Sequence, residues 1–244
     1  MIVKLLVEYD GTGYCGWQVQ PNGDTVQAEI EGALLALTGE KISLTGSGRT
    51  DSGVHAKGQV ASFSVSAENI PPEKYAPALN ALLPPDIRIL KSERAAEDFN
   101  ARFSAKRKTY RYTFYVSDVV RPLYERYAAR SGPLDVARMR AAAGLFAGER
   151  DFKSFCAANS SVKDTVRTIY RCEVEQEGDF VTLTVCGNGF LYNMVRIMAG
   201  TLAEVGEGRL SEEDVEKILA GKKRGKGRTA PAKGLCLMSV EYGA

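Results

Sequence analysis

Between Gly189 and Ala203 the chain is apolar nearly all round, with Phe190, Leu191, Met194, Val195, Ile197, Met198 and Leu202 leaving little room for a polar stripe. A helix on a protein surface keeps one face for water, so this segment predicts a long helix over residues 190–205 that is buried. Arg196 is its only formal charge. Burying an unpaired guanidinium costs too much, so Arg196 is expected to meet a carboxylate or an anionic ligand. Asp51, in an unusual loop, is the candidate partner. The alternatives are a structural acid such as Glu204, or a side chain that snorkels to solvent.

The elements around that helix come in a repeated order. Ile2–Tyr9 reads as a strand and residues 10–22 as a Gly-rich loop. Asp24 stands at capping-box spacing from Gln27, ahead of a helical face formed by Val26, Ile30, Ala33, Leu34 and Leu37 and closed by Gly39. Short strands over 42–45 and 59–65 follow, then a helix opened by Pro71-Pro72 and ending near Leu83, and a strand beginning at 87–90. The second half supplies an alternating strand (109–116), a helix (135–146), a hairpin (166–174 and 180–185) turning at Glu177-Gly178-Asp179, and the long helix. A short helix started by Ser211 and Asp214 and a strand over 235–240 complete it. Two β-α-β-β-α-β runs predict an α+β protein of two similar ferredoxin-like lobes flanking a central catalytic cleft. Residues 1–104 form the first lobe, with the Asp51 loop. Residues 105–244 form the second, with Tyr110, the Arg196 helix and the closing strand.

Composition narrows the function. No run approaches the roughly 20 apolar residues of a membrane span, and the N-terminus reads as a strand, so a cytoplasmic protein without a membrane partner is expected. The five cysteines, at 15, 156, 172, 186 and 236, are odd in number and widely spaced. They fit reduced thiols better than a disulfide framework or a metal site, and His55 is the lone histidine. The net charge is only +2, but its distribution is uneven. Arg102, Lys106, Arg107, Lys108 and Arg111 form one acid-free stretch, and Lys222, Lys223, Arg224, Lys226, Arg228 and Lys233 another. Two such stripes are the footprint of a phosphate-binding face, or else two solvated loops.

Residues 46–55 hold three glycines and place Asp51 between Arg49 and His55. Asp-x-Gly is ordinary turn chemistry, yet the number of glycines suits a loop shaped to present a carboxylate. His55 reads as structural. Gly11, Gly13 and Gly16 match a dinucleotide-loop spacing, but Trp17, Pro21 and Gly23 intervene before any helix, so no cofactor is expected there. Gly48 to Gly53 lacks the Lys and Ser/Thr of a P-loop.

Taken together, these segments resemble the TruA family of tRNA pseudouridine synthases along nearly the whole chain. The resemblance rests on residues 14–18, 20–22 and 25–27, Gly48-Arg49-Thr50-Asp51 with Gly53-Val54-His55-Ala56, and Phe99 with residues 101–105. It continues through Tyr110-Arg111-Tyr112, Phe190-Leu191, residues 193–196 and 200–202, and ends in residues 230–232 with Gly234-Leu235. Ser52 and Asn100 depart from the usual Ala and His, and Ile197-Met198 from Asn-Ile. The first two leave open how the substrate backbone is held.

The resemblance implies an isomerase that converts uridine to pseudouridine in the anticodon stem-loop of tRNA, about positions 38 to 40, on a flipped nucleotide. It implies no metal or organic cofactor, and a homodimer with one tRNA spanning both subunits. It further implies Asp51 as the catalytic carboxylate, acting as nucleophile or as base on the ribose 2′ position, and Arg196 as the basic partner that keeps it ionised. Tyr110 would pack on the target base, Leu235 on its other side, and Arg49 would help extrude the nucleotide or bind its phosphate.

Overall fold

Strand β1 (Ile2–Tyr9) turns Val3, Leu5, Val7 and Tyr9 inward and leaves Lys4 and Glu8 outside, the period-2 pattern of a half-buried strand. In a computed structural model describing residues 1–66, 69–157 and 162–243, the chain divides into two units. Unit 1 comprises Met1–Lys106 and Leu237–Ala244, and unit 2 comprises Arg107–Cys236. Both are mixed α and β with mostly antiparallel strands. Among the described residues no helix is long and apolar enough to cross a membrane.

Unit 1 runs β1, α1 (Val26–Thr38), β2 (Thr45–Gly46), β3 (His55–Ser64), α2 (Tyr75–Asn80) and β4 (Ile87–Arg94). β4, β1 and β3 are neighbours in that order, all antiparallel, and β2 pairs with β3. The last strand of the chain, β10 (Leu235–Tyr242), lies beside β3. Leu5, Ile30, Leu34, Tyr75, Leu79 and Ile87 are fully buried in one core, where Phe63 meets Tyr75 edge-on at 5.2 Å. Truncating one of these leucines to alanine typically costs about 2–5 kcal/mol.

Unit 2 contains β5 (Ala105–Val116), β6 (Ala129–Ser131), α3 (Val136–Gly144), β7 (Gly148–Asp151), β8 (Val166–Glu177), β9 (Phe180–Gly187), α4 (Met194–Gly206) and α5 (Glu212–Ala220). Its sheet runs β5, β9, β8, β7, with β6 parallel to β5. The β8–β9 hairpin turns at Gly178, whose φ of 56° is left-handed. Met194, Ile197, Met198 and Leu202 of α4 are buried, as its composition predicts. The Ser211–Asp214 capping box opens α5.

Several expected boundaries move, each for a local reason. The cap of α1 is Thr25, which accepts from Ala28 N–H, so Asp24 is not the cap. The strand expected over 42–45 shrinks to β2, because the Leu44 N–H and C=O are taken by Glu31 Oε1 (2.8 Å) and Gln27 Nε2 (3.1 Å) of α1. The helix expected to end near Leu83 stops at Asn80, whose amide bonds both the N–H and the C=O of Ile89. Helix α4 begins at Met194, because Asn193 stands in the left-handed region (φ 59°) and breaks the segment that starts at Phe190. Strands β6 and β7 add to the β-α-β-β-α-β order expected of the second half.

Candidate active site

The loop from Gly46 to His55 is gripped by a second glycine-rich segment, Gly11 to Trp17. Their contacts are mostly backbone to backbone. Trp17 N–H donates to Thr50 C=O (3.1 Å), Gly53 N–H reaches Tyr14 C=O (3.4 Å), and Gly11 N–H donates to His55 Nδ1 (3.1 Å). Glycine is required where the strands of this grip cross. A Cβ on Gly11 would overlap the Val54 carbonyl, and one on Gly46 would overlap the Trp17 indole. Gly16 has φ 93°, and a Cβ there would stand 2.6 Å from Thr50 O. Fully buried Ser47 and Gln59 lock the near end, with Ser47 Oγ donating to Gln59 Oε1 (2.6 Å) and Gln59 Nε2 to Gly48 O (3.0 Å). Thr50 Oγ1 shares a 2.7 Å bond with the Tyr9 hydroxyl.

The result is a rigid loop in which Asp51 is half-buried and Arg49 exposed. Asp51 C=O accepts from Val54 N–H (3.1 Å), so the turn chemistry and the presented carboxylate are parts of one arrangement. Ser52 Oγ donates to Tyr14 C=O (3.1 Å), adding a side-chain tie to the grip. Tyr14 is anchored through its hydroxyl to Asp86 Oδ1 (2.7 Å), and burial together with that carboxylate raises its pKa. His55 is 5% exposed, and its Nδ1 lies 3.1 Å from Asp10 Oδ1. The same nitrogen faces both Gly11 N–H and the Asp10 carboxylate, and the Asp10 contact is an ion pair only when the ring is protonated. His55 therefore has a structural place in the grip. Sequence reading weighed Gly11 to Gly16 only as a dinucleotide loop and missed its role as clamp. The signal was the glycine density of both loops together with the lone Trp17.

In unit 2 one short segment, Ala230 to Leu235, includes Leu235 and is bonded to Arg196 and to Tyr112. Arg196, in the first turn of α4, donates Nε to Ala230 O (2.8 Å) and Nη1 to Asn193 Oδ1 (2.8 Å), while Ala230 N–H donates to Arg196 O (3.0 Å). These neutral oxygens orient the guanidinium. Glu204, the structural acid considered for it, accepts from Arg228 N–H instead (3.0 Å). Tyr110 is 7% exposed and stands edge-on to Phe190 at 5.2 Å. Two residues along β5, Tyr112 donates its hydroxyl to Pro231 O (2.7 Å), and its ring packs so closely on Gly234 that a Cβ there would lie 2.6 Å away. Burial raises the Tyr112 pKa, against an opposing pull from Arg196 and Arg228. Leu235, 6% exposed, follows directly.

The two basic stretches differ in kind. Arg102, Lys106, Arg107 and Arg111 are exposed, and Arg107 lies over Tyr170 at 4.5 Å. In the second stretch Arg224 bonds the carbonyls of Gly225 and Gly227, Arg228 pairs with Glu207, and Lys233 pairs with Glu125. Half of that stripe is therefore engaged by partners within the protein.

The described residues thus hold a half-buried carboxylate on a loop tied by backbone bonds, and exposed cations at Arg49 and along residues 102–111. Comparison with known proteins identifies the family. Residues 5–104 and 142–243 match the family described as tRNA pseudouridine synthase, and the chain belongs to that family of isomerases. It is 50% identical over 243 residues to the tRNA pseudouridine synthase A of Geobacter sp. (strain M21), covering 98% of each chain. It is 50% identical over 244 residues to that of Moorella thermoacetica (98% of this chain, 99% of the relative) and 49% identical to that of Citrifermentans bemidjiense (98% and 97%).

Proposed function

We propose that this protein isomerises uridine to pseudouridine in the anticodon stem-loop of tRNA, about positions 38 to 40, taking the target nucleotide out of its stack. The observation that carries the reading is the two-segment grip on the Asp51 loop, since catalysis needs a carboxylate held still against a moving substrate. Asp51 acts on the ribose, as nucleophile or as base at the 2′ position, while the glycosidic bond to N1 breaks and the uracil rejoins through C5. Arg196 serves as the basic group that keeps Asp51 ionised, which agrees with its orientation by Ala230 and Asn193. Tyr110 packs on the target base and Leu235 on its other side. Arg49, exposed beside Asp51, helps extrude the nucleotide or binds its phosphate.

The same reading makes the protein a cytoplasmic homodimer. It takes residues 1–104 and 105–244 as two ferredoxin-like lobes, supported in the first by the order β1-α1-β2-β3-α2-β4.

Rejoining through C5 expels the hydrogen at that carbon, so tritium release from 5-labelled uridine in tRNA reads the reaction directly. Wild-type protein releases tritium, whereas Asp51→Ala loses about 10⁴-fold or more of the rate and keeps its affinity for tRNA. Equal release by both proteins would refute the role of Asp51. Absence of release from the wild type would refute the isomerase reading for this chain. Arg196→Met should likewise abolish release while the melting temperature stays within a few degrees of wild type, and full activity in that variant would exclude it as the partner of Asp51.

A further inference from the structure

Residues 100–104 form a turn in which every backbone N–H is bonded, yet it delivers an aromatic ring into water. Asn100 Oδ1 accepts from the N–H groups of Arg102 (2.9 Å) and Phe103 (3.1 Å). Asn100 N–H donates to Ser104 Oγ (3.1 Å), and Ser104 N–H returns to Asn100 O (2.9 Å). The base of the turn is fixed through Ala101, whose N–H donates to Ser62 Oγ (3.1 Å) and whose C=O accepts from the Tyr242 hydroxyl (2.8 Å). Ala101 is fully buried, whereas Phe103 is 77% exposed, with the Arg102 guanidinium 5.6 Å from its ring centroid. This also explains Asn100: its side chain caps the turn.

A single exposed apolar residue needs no explanation. Here three features coincide: rigid presentation, a guanidinium over the ring, and Lys106, Arg107 and Lys108 following with no acid between. A partner for that combination is anionic and carries flat faces. Resting on the reading of RNA as substrate, we propose that Phe103, steadied by Arg102, is a stacking platform for an unpaired nucleobase of the tRNA other than the target base. Stacking of a base on an aromatic ring tolerates any sequence, and the fixed turn removes the entropy of ordering the ring.

Four variants test this: Phe103→Ala, Phe103→Leu, Phe103→Tyr and Lys106→Ala. Their tRNA affinity is titrated across a range of salt, alongside melting temperature and tritium release. Phe103→Ala and Phe103→Leu weaken tRNA binding by about 5- to 100-fold, Phe103→Tyr keeps wild-type affinity, and melting temperatures match the wild type. The salt dependence is unchanged in all three, while Lys106→Ala lowers its slope by about one. Wild-type affinity in Phe103→Ala would overturn the proposal. So would rescue by Leu as complete as by Tyr, which marks an apolar contact with a protein, and so would a reduced salt slope in Phe103→Ala. Because affinity is measured apart from turnover, a wild-type protein that releases no tritium refutes the isomerase reading and leaves the affinity series to judge Phe103.

Discussion

Around Asp51 backbone grips backbone, whereas around Arg196 and Leu235 it is mainly side chains that grip backbone. In unit 1 the crossings at Gly11, Gly16 and Gly46 leave no space for a Cβ. In unit 2 Arg196, Tyr112, Arg224 and Lys233 reach across to carbonyls and to a carboxylate. The first kind of grip fails when atoms are added and the second when atoms are removed. The catalytic role proposed for Asp51 suits the first. The supporting roles proposed for Arg196 and Leu235 suit the second, whose fixings are side-chain bonds to carbonyls.

The largest effect should come from adding one methyl group in unit 1. Gly16→Ala combines a left-handed φ with overlap at the Thr50 carbonyl, costing about 1–2 kcal/mol for the first and about 1–3 for the second. Urea unfolding should register the sum, and turnover should fall further than the lost stability explains. A tolerated Gly16→Ala would end the contrast between the units. In unit 2, Tyr112→Phe removes only a hydroxyl from Pro231 O, and unfolding should show about 1–2 kcal/mol lost, with the Asp51 loop untouched. The smallest effect belongs to Lys233→Ala, a partly exposed pair worth less than about 1 kcal/mol.

That pair also has a pH signature. The Lys233 ammonium and then the Tyr115 hydroxyl hold Glu125 below the usual carboxylate range. A lowered folded-state pKa stabilises the fold fully above the unfolded value of about 4.3, and the contribution disappears as pH falls through the lower one. Stability of Lys233→Ala measured from pH 6 down to pH 2 should therefore decline less steeply than that of the wild type. Parallel curves would show that the ammonium does not set the Glu125 pKa.

Much of this was legible in the sequence because it depends on local pattern. The alternation of Tyr110, Tyr112 and Phe114 in β5, the apolar girth of α4 and the Ser211 cap are written in neighbouring residues. What escaped depends on distant partners. Leu44 is apolar and flanked like a strand residue, yet Glu31 and Gln27 take its backbone groups, and nothing near residue 44 announces that. Asn193 looks like an ordinary helix residue until its left-handed φ is seen. β7 is exposed throughout and so has no alternation to detect. At the site, the glycines of the Asp51 loop were visible, but Gly11 and Gly16 matched only a dinucleotide-loop spacing that fails on context, and nothing in the sequence sets them against Thr50 and Val54. Charge counting overstated the second basic stretch, because a sequence does not reveal which cations are already engaged.

The closing strand gives the molecule a schedule. From Leu237 onward the chain belongs with Met1–Lys106, and Gly58 of β3 lies against the carbonyl of Met238. A ribosome works from the N-terminus, so every residue of unit 2 has been made before β3 receives this neighbour. Until then β3 bares unpaired N–H and C=O groups along that edge, an invitation to other nascent chains. Tyr242, which pins Ala101 beneath the Phe103 turn, is made only after all of unit 2. The turn proposed to meet the RNA thus gains this tie only after unit 2 has been made, so a product terminated within unit 2 would lack it however well the Asp51 loop had formed.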